Sequence, residues 1–173
     1  MSEIILETIV EDKRWSAAIA DIEQVAEKVK TAAFGWLRTH ENLEFLNGFK
    51  PLKINVCLSD DETVHRLNKE FRGMDKPTNV LSFANLDFAD FDADNEPYDE
   101  IELGDIILAY ETMVREAAEQ EVTLQEHFCH LLTHGFLHLS GYDHQTPDEA
   151  AYMENAEKEI LQMLNIANPY EGE

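Results

Sequence analysis

Basic residues are scarce in this chain of 173 residues: 13 Lys and Arg stand against 36 Asp and Glu, a formal net charge of -23. Proteins that coat nucleic acid neutralise phosphates with Lys and Arg, so this balance argues against binding through a broad surface. Cysteine is almost missing as well. Cys57 lies in a strand-like run and Cys129 in a helix-like run, and two such residues make neither a disulfide framework nor a four-cysteine metal site. No apolar run is long enough to cross a bilayer, although 44% of the residues are hydrophobic. The opening MSEIILETIVEDK has neither the basic segment nor the cleavage site of a secretory signal, and the expectation is a cytoplasmic protein with no membrane partner. Internal repeats and long linkers are also missing, which predicts one domain over 1–173 built on a single core.

What basic charge there is, is unevenly placed. Arg66, Lys69, Arg72 and Lys76 crowd together, no Lys or Arg occurs between Pro77 and Val114, and only Lys158 follows Arg115. A local basic patch on an acidic body is one reading of that crowding; a solvated helix end is the other, and for Arg66 and Lys69 both stand.

Apolar periodicity predicts a strand over Ile4 to Val10, a long amphipathic helix from Trp15 to about Arg38, and an alternating strand over Leu52 to Ser59. Ser59 with Glu62 three residues on reads as a capping box that starts a helix running to about Phe71. RGMDKPT is a turn, and Val80 to Phe83 a short strand. An acidic loop follows between Asp87 and Asp105. Asp90, Asp92 and Asp94 imitate the opening of a calcium loop, but Asn95 and Ile101 occupy the positions of its glycine and its closing glutamate, which makes it a solvated loop. Gly104 to Tyr110 reads as a fourth strand and Glu111 to Gln120 as a helix. Thr123 with Glu126 forms a capping box for a helix reaching Leu139. Thr146, with Pro147 at the first helical position and Glu149 at the third, reads as a third capping box that opens a last helix carrying Met153, Ile160, Leu161 and Leu164. Strands separated by helices predict an α+β fold, a mixed sheet of about four strands covered by helices.

The densest chemistry sits in LLTHGFLHLSGYDH, where His134, His138 and His144 have the spacing HxxxHxxGxxH. Residues four apart share a helix face, so His134 and His138 can turn their rings to a common point. Gly141 falls where the helix should stop, and a glycine C-cap can turn the chain so that His144 joins them. Three imidazoles hold a transition metal and leave a fourth position for water, the mark of a catalytic zinc site. The expectation is one Zn2+ per chain, with nickel, copper and iron left open by the ligand type. The spacing is that of metzincin peptidases, except that Gly135 stands where those enzymes carry a glutamate base, which disfavours peptide hydrolysis. Asp143 reads either as a turn cap or as a support for a ligand imidazole. His130, one turn before His134, reads either as facing the same cleft or as an ordinary helix histidine.

With RGMDKPTNVLSF, LGDII and HGFLHLSGYDH in that order, the chain resembles the bacterial YbeY family of metal-dependent endoribonucleases. The resemblance covers about residues 52 to 166. It implies cleavage of single-stranded RNA, maturation of the 3′ end of small-subunit 16S ribosomal RNA, and ribosome quality control, with the ribosome and a ribosomal protein or GTPase as partners. It also implies His134, His138 and His144 as zinc ligands, His134 and His138 thereby being part of the catalytic centre, and Arg72 as a catalytic residue beside the metal. A guanidinium there can grip a phosphodiester and stabilise charge in its transition state. Two other readings stand beside this one: a metal-dependent peptide or amide hydrolase, and a non-catalytic ribosome-associated factor whose structural zinc is closed by a fourth ligand such as Asp143.

Overall fold

The computed structural model describes residues 2–86 and 99–171. In chain order its elements are β1 (Ile4–Val10), α1 (Arg14–Ala18), α2 (Ile22–His40), β2 (Leu52–Ser59), α3 (Asp61–Arg72), β3 (Val80–Ala84), β4 (Ile101–Ala109), α4 (Tyr110–Gln120), α5 (Leu124–Leu139) and α6 (Pro147–Met163). The strands form one mixed sheet in the order β1-β2-β4-β3, in which β1, β2 and β4 run parallel and β3 lies antiparallel on the β4 edge. This is the α+β fold expected, with four strands and a helical cover.

Alternation along β4 divides the protein into two cores. Ile106 and Leu108 join the main core with Phe34 and Leu37 of α2 and Phe128, Leu132 and Phe136 of α5. Ile107 packs against a smaller cluster of Ala109, Leu81 of β3 and Val64 of α3, which Leu67 and Phe83 flank. Each large side chain taken out of water contributes about 1.5–3 kcal/mol. Helix α5 is the centre of the arrangement, touching α2, α4, α6, β3 and β4.

Several sequence expectations shift in detail. The helix expected from Trp15 to Arg38 is broken: Ile19 is extended and Asp21 takes a left-handed φ of 51°. The break lets Trp15 donate from Nε1 to the Ser59 carbonyl at 2.8 Å while Ile19 and Ile22 both remain buried. The box at Ser59 and Glu62 is displaced by one residue. Asp60 is the cap and accepts from the Thr63 amide at 2.8 Å, while Ser59 is buried and donates its hydroxyl to Glu11. Strand β4 starts at Ile101 rather than Gly104, because its parallel partner β2 supplies a ladder that far back, and Tyr110 already belongs to α4. Part of the expected acidic loop is therefore strand; Asp90, Asp92, Asp94 and Asn95 lie outside the described residues.

Gly104 is where three elements close up. Lys53 faces Glu102 but Ile54 faces Gly104, so Leu103 bulges out of the β2–β4 ladder. A Cβ at Gly104 would lie 2.3 Å from the Phe83 carbonyl oxygen and 2.6 Å from Leu139 Cδ2, so glycine lets β3 and the end of α5 meet there. The expected cost of Gly104→Ala is about 2–3 kcal/mol, since a backbone carbonyl cannot rotate away. A urea titration checks this, and a midpoint equal to that of the unsubstituted protein would contradict it.

Candidate metal centre

Both ends of α5 are held by local chemistry. At its start, Thr123 Oγ1 accepts from the Glu126 amide and Glu126 Oε1 accepts from the Thr123 amide, each at 3.1 Å, the reciprocal box expected. At its end, Gly141 takes a φ of 103°, its amide donates to the His138 carbonyl at 3.1 Å, and the Tyr142 amide donates to Leu137 at 3.0 Å. That pair of bonds is a Schellman motif, which stops the helix and reverses the chain. His134 and His138 lie before the reversal and His144 after it.

The reversal brings the three rings together. Ring centroids are 4.6 Å apart for His134 and His138, 5.0 Å for His138 and His144, and 5.4 Å for His134 and His144. One ligand nitrogen from each lies within 4.8 Å of the other two. The Nε2 atoms of His134 and His138 are 3.1 Å apart, near the edge of about 3.4 Å that two imidazoles span on a tetrahedral zinc with bonds of about 2.0–2.1 Å. The donor set fits such an ion. Burial first, then the neighbouring His134 and His144, push the His138 pKa down to about 4, and so hold it as the neutral imidazole a metal requires.

Sequence reasoning missed a carboxylate behind this triad. Glu157 of α6 is fully buried, and His134 Nδ1 lies 2.7 Å from its Oε1. Burial alone would raise its pKa, but His130 beside it and the hydrogen bond from His134 win and bring it to about 2, so the group is an acceptor at neutral pH. His134 therefore donates from Nδ1 and keeps the lone pair of Nε2 toward His138. The signal was present: Glu157 stands four residues from Met153 and Leu161, inside the apolar stripe of α6. Asp143 resolves as a turn residue, its Oδ1 accepting from the His144 amide at 2.8 Å. His130 is absent from the cleft lining and lies instead beside Glu157, 3.7 Å from Oε1. The turn carrying His144 is braced through Tyr142, which stacks on Tyr152 at 5.5 Å; both phenols donate to Glu41 Oε1 at 2.5 Å.

The histidines open into a cleft of about 820 Å³ whose lining also includes Arg72, Lys76, Asn79 and Ser82. Arg72, at the C-terminal end of α3, donates from Nη2 to the Ser82 carbonyl at 2.7 Å and lies 5.4 Å from the centroid of the Phe83 ring. That bond occupies one of the five donors of a guanidinium. The wall is pinned from behind: Asn79 donates to Glu116 at 3.0 Å, and buried His127 places Nε2 2.9 Å from the same carboxylate oxygen. Gly135 does not reach the cleft. It is buried, and a Cβ there would lie 2.9–3.2 Å from three atoms of Ile106, so the direction a side chain would take is filled by the sheet.

The model of the family described as Endoribonuclease YbeY matches residues 10–165. The chain is 43% identical over 156 residues to Endoribonuclease YbeY of Paramagnetospirillum magneticum, which spans 90% of this chain and 89% of that one. The chain belongs to the YbeY family. The Magnetococcus marinus YbeY protein is 49% identical over 142 residues, covering 80% of this chain and 88% of its own. The Rhizobium etli protein is 40% identical over 173 residues, covering 100% and 96%. The solution structure of TM1509 from Thermotoga maritima superimposes with a TM-score of 0.53 at 21% identity, over 93% of this chain and 92% of that one, and so shares the fold.

Two outcomes follow for this site. On acidification, the unfolded chain protonates a histidine near 6.5 before folded His138 does near 4, and a glutamate near 4.5 before folded Glu157 does near 2. Both groups therefore stabilise the fold at neutral pH, and that stability is lost from 6.5 toward 4 and from 4.5 toward 2. Urea midpoints of the metal-free protein should fall in these windows; a flat profile from pH 7 to 4.5 would contradict the assignment. Restoring the metzincin glutamate by Gly135→Glu should cost several kcal/mol, because it drives a carboxylate against Ile106, and should produce no peptidase activity. Thermal unfolding and a casein assay check the two parts.

Proposed function

We propose that this chain is a zinc-dependent endoribonuclease that cuts single-stranded RNA, with His134, His138 and His144 as metal ligands and Arg72 as the phosphate-binding catalytic residue. The observation that carries this reading is that the histidine triad and Arg72 line one cleft. Membership of the YbeY family supports the choice of RNA as substrate. His134, His138 and His144 would hold the zinc, which would supply Lewis-acid chemistry: polarising a phosphoryl oxygen, activating water near neutral pH, or both.

The protein's own groups bind and orient the strand. Arg72, anchored on the Ser82 carbonyl and set over Phe83, offers its remaining donors to the scissile phosphate and stabilises the charge that develops there. Lys76 lines the same cleft, while Arg66 and Lys69 continue the basic ridge outward; Asp75 tempers that ridge, at 2.7 Å from His65 and 4.0 Å from Lys69. Phe71 and Met74 are exposed on the ridge and offer apolar faces to unstacked bases, which a duplex withholds. Within the cell we assign the 3′ end of small-subunit 16S ribosomal RNA as substrate and a part in ribosome quality control. Cleavage takes place in the cytoplasm, with the ribosome, a ribosomal protein or a GTPase supplying positive surface that the chain lacks.

Gly135 disfavours the peptidase reading, since the position of its base is taken by Ile106. Among the described residues no fourth His, Cys or carboxylate joins the triad, which favours a catalytic over a structural ion.

The test is cleavage of RNA carrying the 3′-extended small-subunit sequence by wild type, His138→Ala and Arg72→Ala, each purified identically. Wild type should carry one zinc per chain and cut. His138→Ala should lose both metal and cleavage. Arg72→Ala should keep the metal and lose about 10²–10³-fold in kcat/KM. Cleavage by folded, metal-free His138→Ala would refute the assignment.

A further inference from the structure

The segment after α6 extends past residue 165, where the family match ends, and it reaches the back of the metal centre. Asn165 ends the helix with a left-handed φ of 62°, and the Ile166 amide donates to Leu161 at 2.9 Å while its side chain packs on the main core. Asn168 Oδ1 then accepts from the Tyr170 amide at 3.0 Å, a local turn that delivers the phenol inward. Tyr170 donates its hydroxyl to Glu157 Oε2, the oxygen opposite the one that faces His134. His130 completes the group, with Nε2 3.3 Å from the Tyr170 hydroxyl and its ring edge-on to the tyrosine at 5.6 Å.

We propose that Tyr170, with His130, holds the buried Glu157 carboxylate in place so that it fixes the tautomer and ring angle of His134, making the C-terminal segment a positioning part of the metal centre. The inference rests on the metal reading given above. Its physics is that a fully buried carboxylate has two oxygens to satisfy. With Tyr170 on Oε2, the other oxygen stays aligned with His134 Nδ1–H. Without it, the carboxylate turns to recover a partner and the imidazole loses its fixed orientation. Partners of this kind behind a ligand histidine are worth about 10–100-fold in metal affinity. Tyr170 and Glu157 are positioning residues, because neither reaches the cleft.

The experiment compares full-length wild type, Tyr170→Phe, Glu157→Gln and Glu157→Ala in two measurements. The first is zinc affinity by chelator competition. Glu157→Ala should bind about 10–100-fold more weakly. Glu157→Gln keeps an acceptor for Nδ1–H and should fall between it and wild type, a rescue that simple loss of packing does not give. Tyr170→Phe should lose about fivefold, the effect of one hydrogen bond. The second is the 15N spectrum of the imidazoles in metal-free protein at pH 8, where His134 should be the Nδ1–H tautomer in wild type and a tautomer mixture in Glu157→Ala. Tyr170→Phe removes one hydroxyl from a surface segment, so it keeps the test open if Glu157→Ala does not fold. Unchanged zinc affinity in folded Tyr170→Phe and Glu157→Gln would overturn the proposal, as would an unchanged His134 tautomer in every Glu157 variant. Wild-type protein that takes up no zinc would instead overturn the metal reading, a result the tautomer measurement does not share.

Discussion

The distance between α5 and β4 at Gly135 governs the rest of this molecule. Because an added carbon would lie 2.9–3.2 Å from three side-chain atoms of Ile106, the helix is seated directly on that side chain, and His134 and His138 are set by that seating. The same closeness recurs at Gly104, where β3, β4 and Leu139 converge. The two glycines seat α5 against β4 and β3, and Ser82 of β3 carries the contact to Arg72. A spacing shared with peptidases thus acquires a different setting: the position of their glutamate is buried against the sheet, while the three histidines still converge on one point.

Legibility in the sequence followed the range of the forces involved. The box at Thr123, the caps at Thr146 and Gly141, and the histidine spacing all work within a few residues, and each stands where the sequence placed it. The cap of α3 moved from Ser59 to Asp60 because Ser59 was claimed by Glu11, a residue 48 positions away. The break at Asp21 depends on Trp15 reaching the Ser59 carbonyl, 44 positions away. Glu157 escaped notice for a related reason. A glutamate on a helix normally means solvent, and only its place within the apolar stripe of α6 distinguishes it. Arg72 was placed by resemblance and by the chemistry of phosphates; its anchor on Ser82 came only with the fold.

Among the described residues, half-buried Glu116 and fully buried Glu157 anchor two clusters of similar design. Glu116 binds Asn79 and His127, and Glu157 lies among His130, His134 and Tyr170. Each joins an imidazole of α5 to a carboxylate on a neighbouring helix and then to a group near a chain reversal. Such networks are costly if left incomplete and rigid when satisfied. One supports the wall of the cleft through Asn79, and the other supports its metal side through His134.

The net charge of -23 has a consequence for how a polyanion comes to this protein. At physiological ionic strength the field of a charged surface decays over about 8 Å, so an RNA chain farther away meets a screened but repulsive envelope. Around α3 that repulsion is weakest, since Arg66, Lys69, Arg72 and Lys76 are matched there by Asp61, Glu62, Glu70 and Asp75 and residues 61–76 are formally neutral. Approach is thus filtered by direction: a polyanion that comes along α3 meets less repulsion than one that comes over an acidic face.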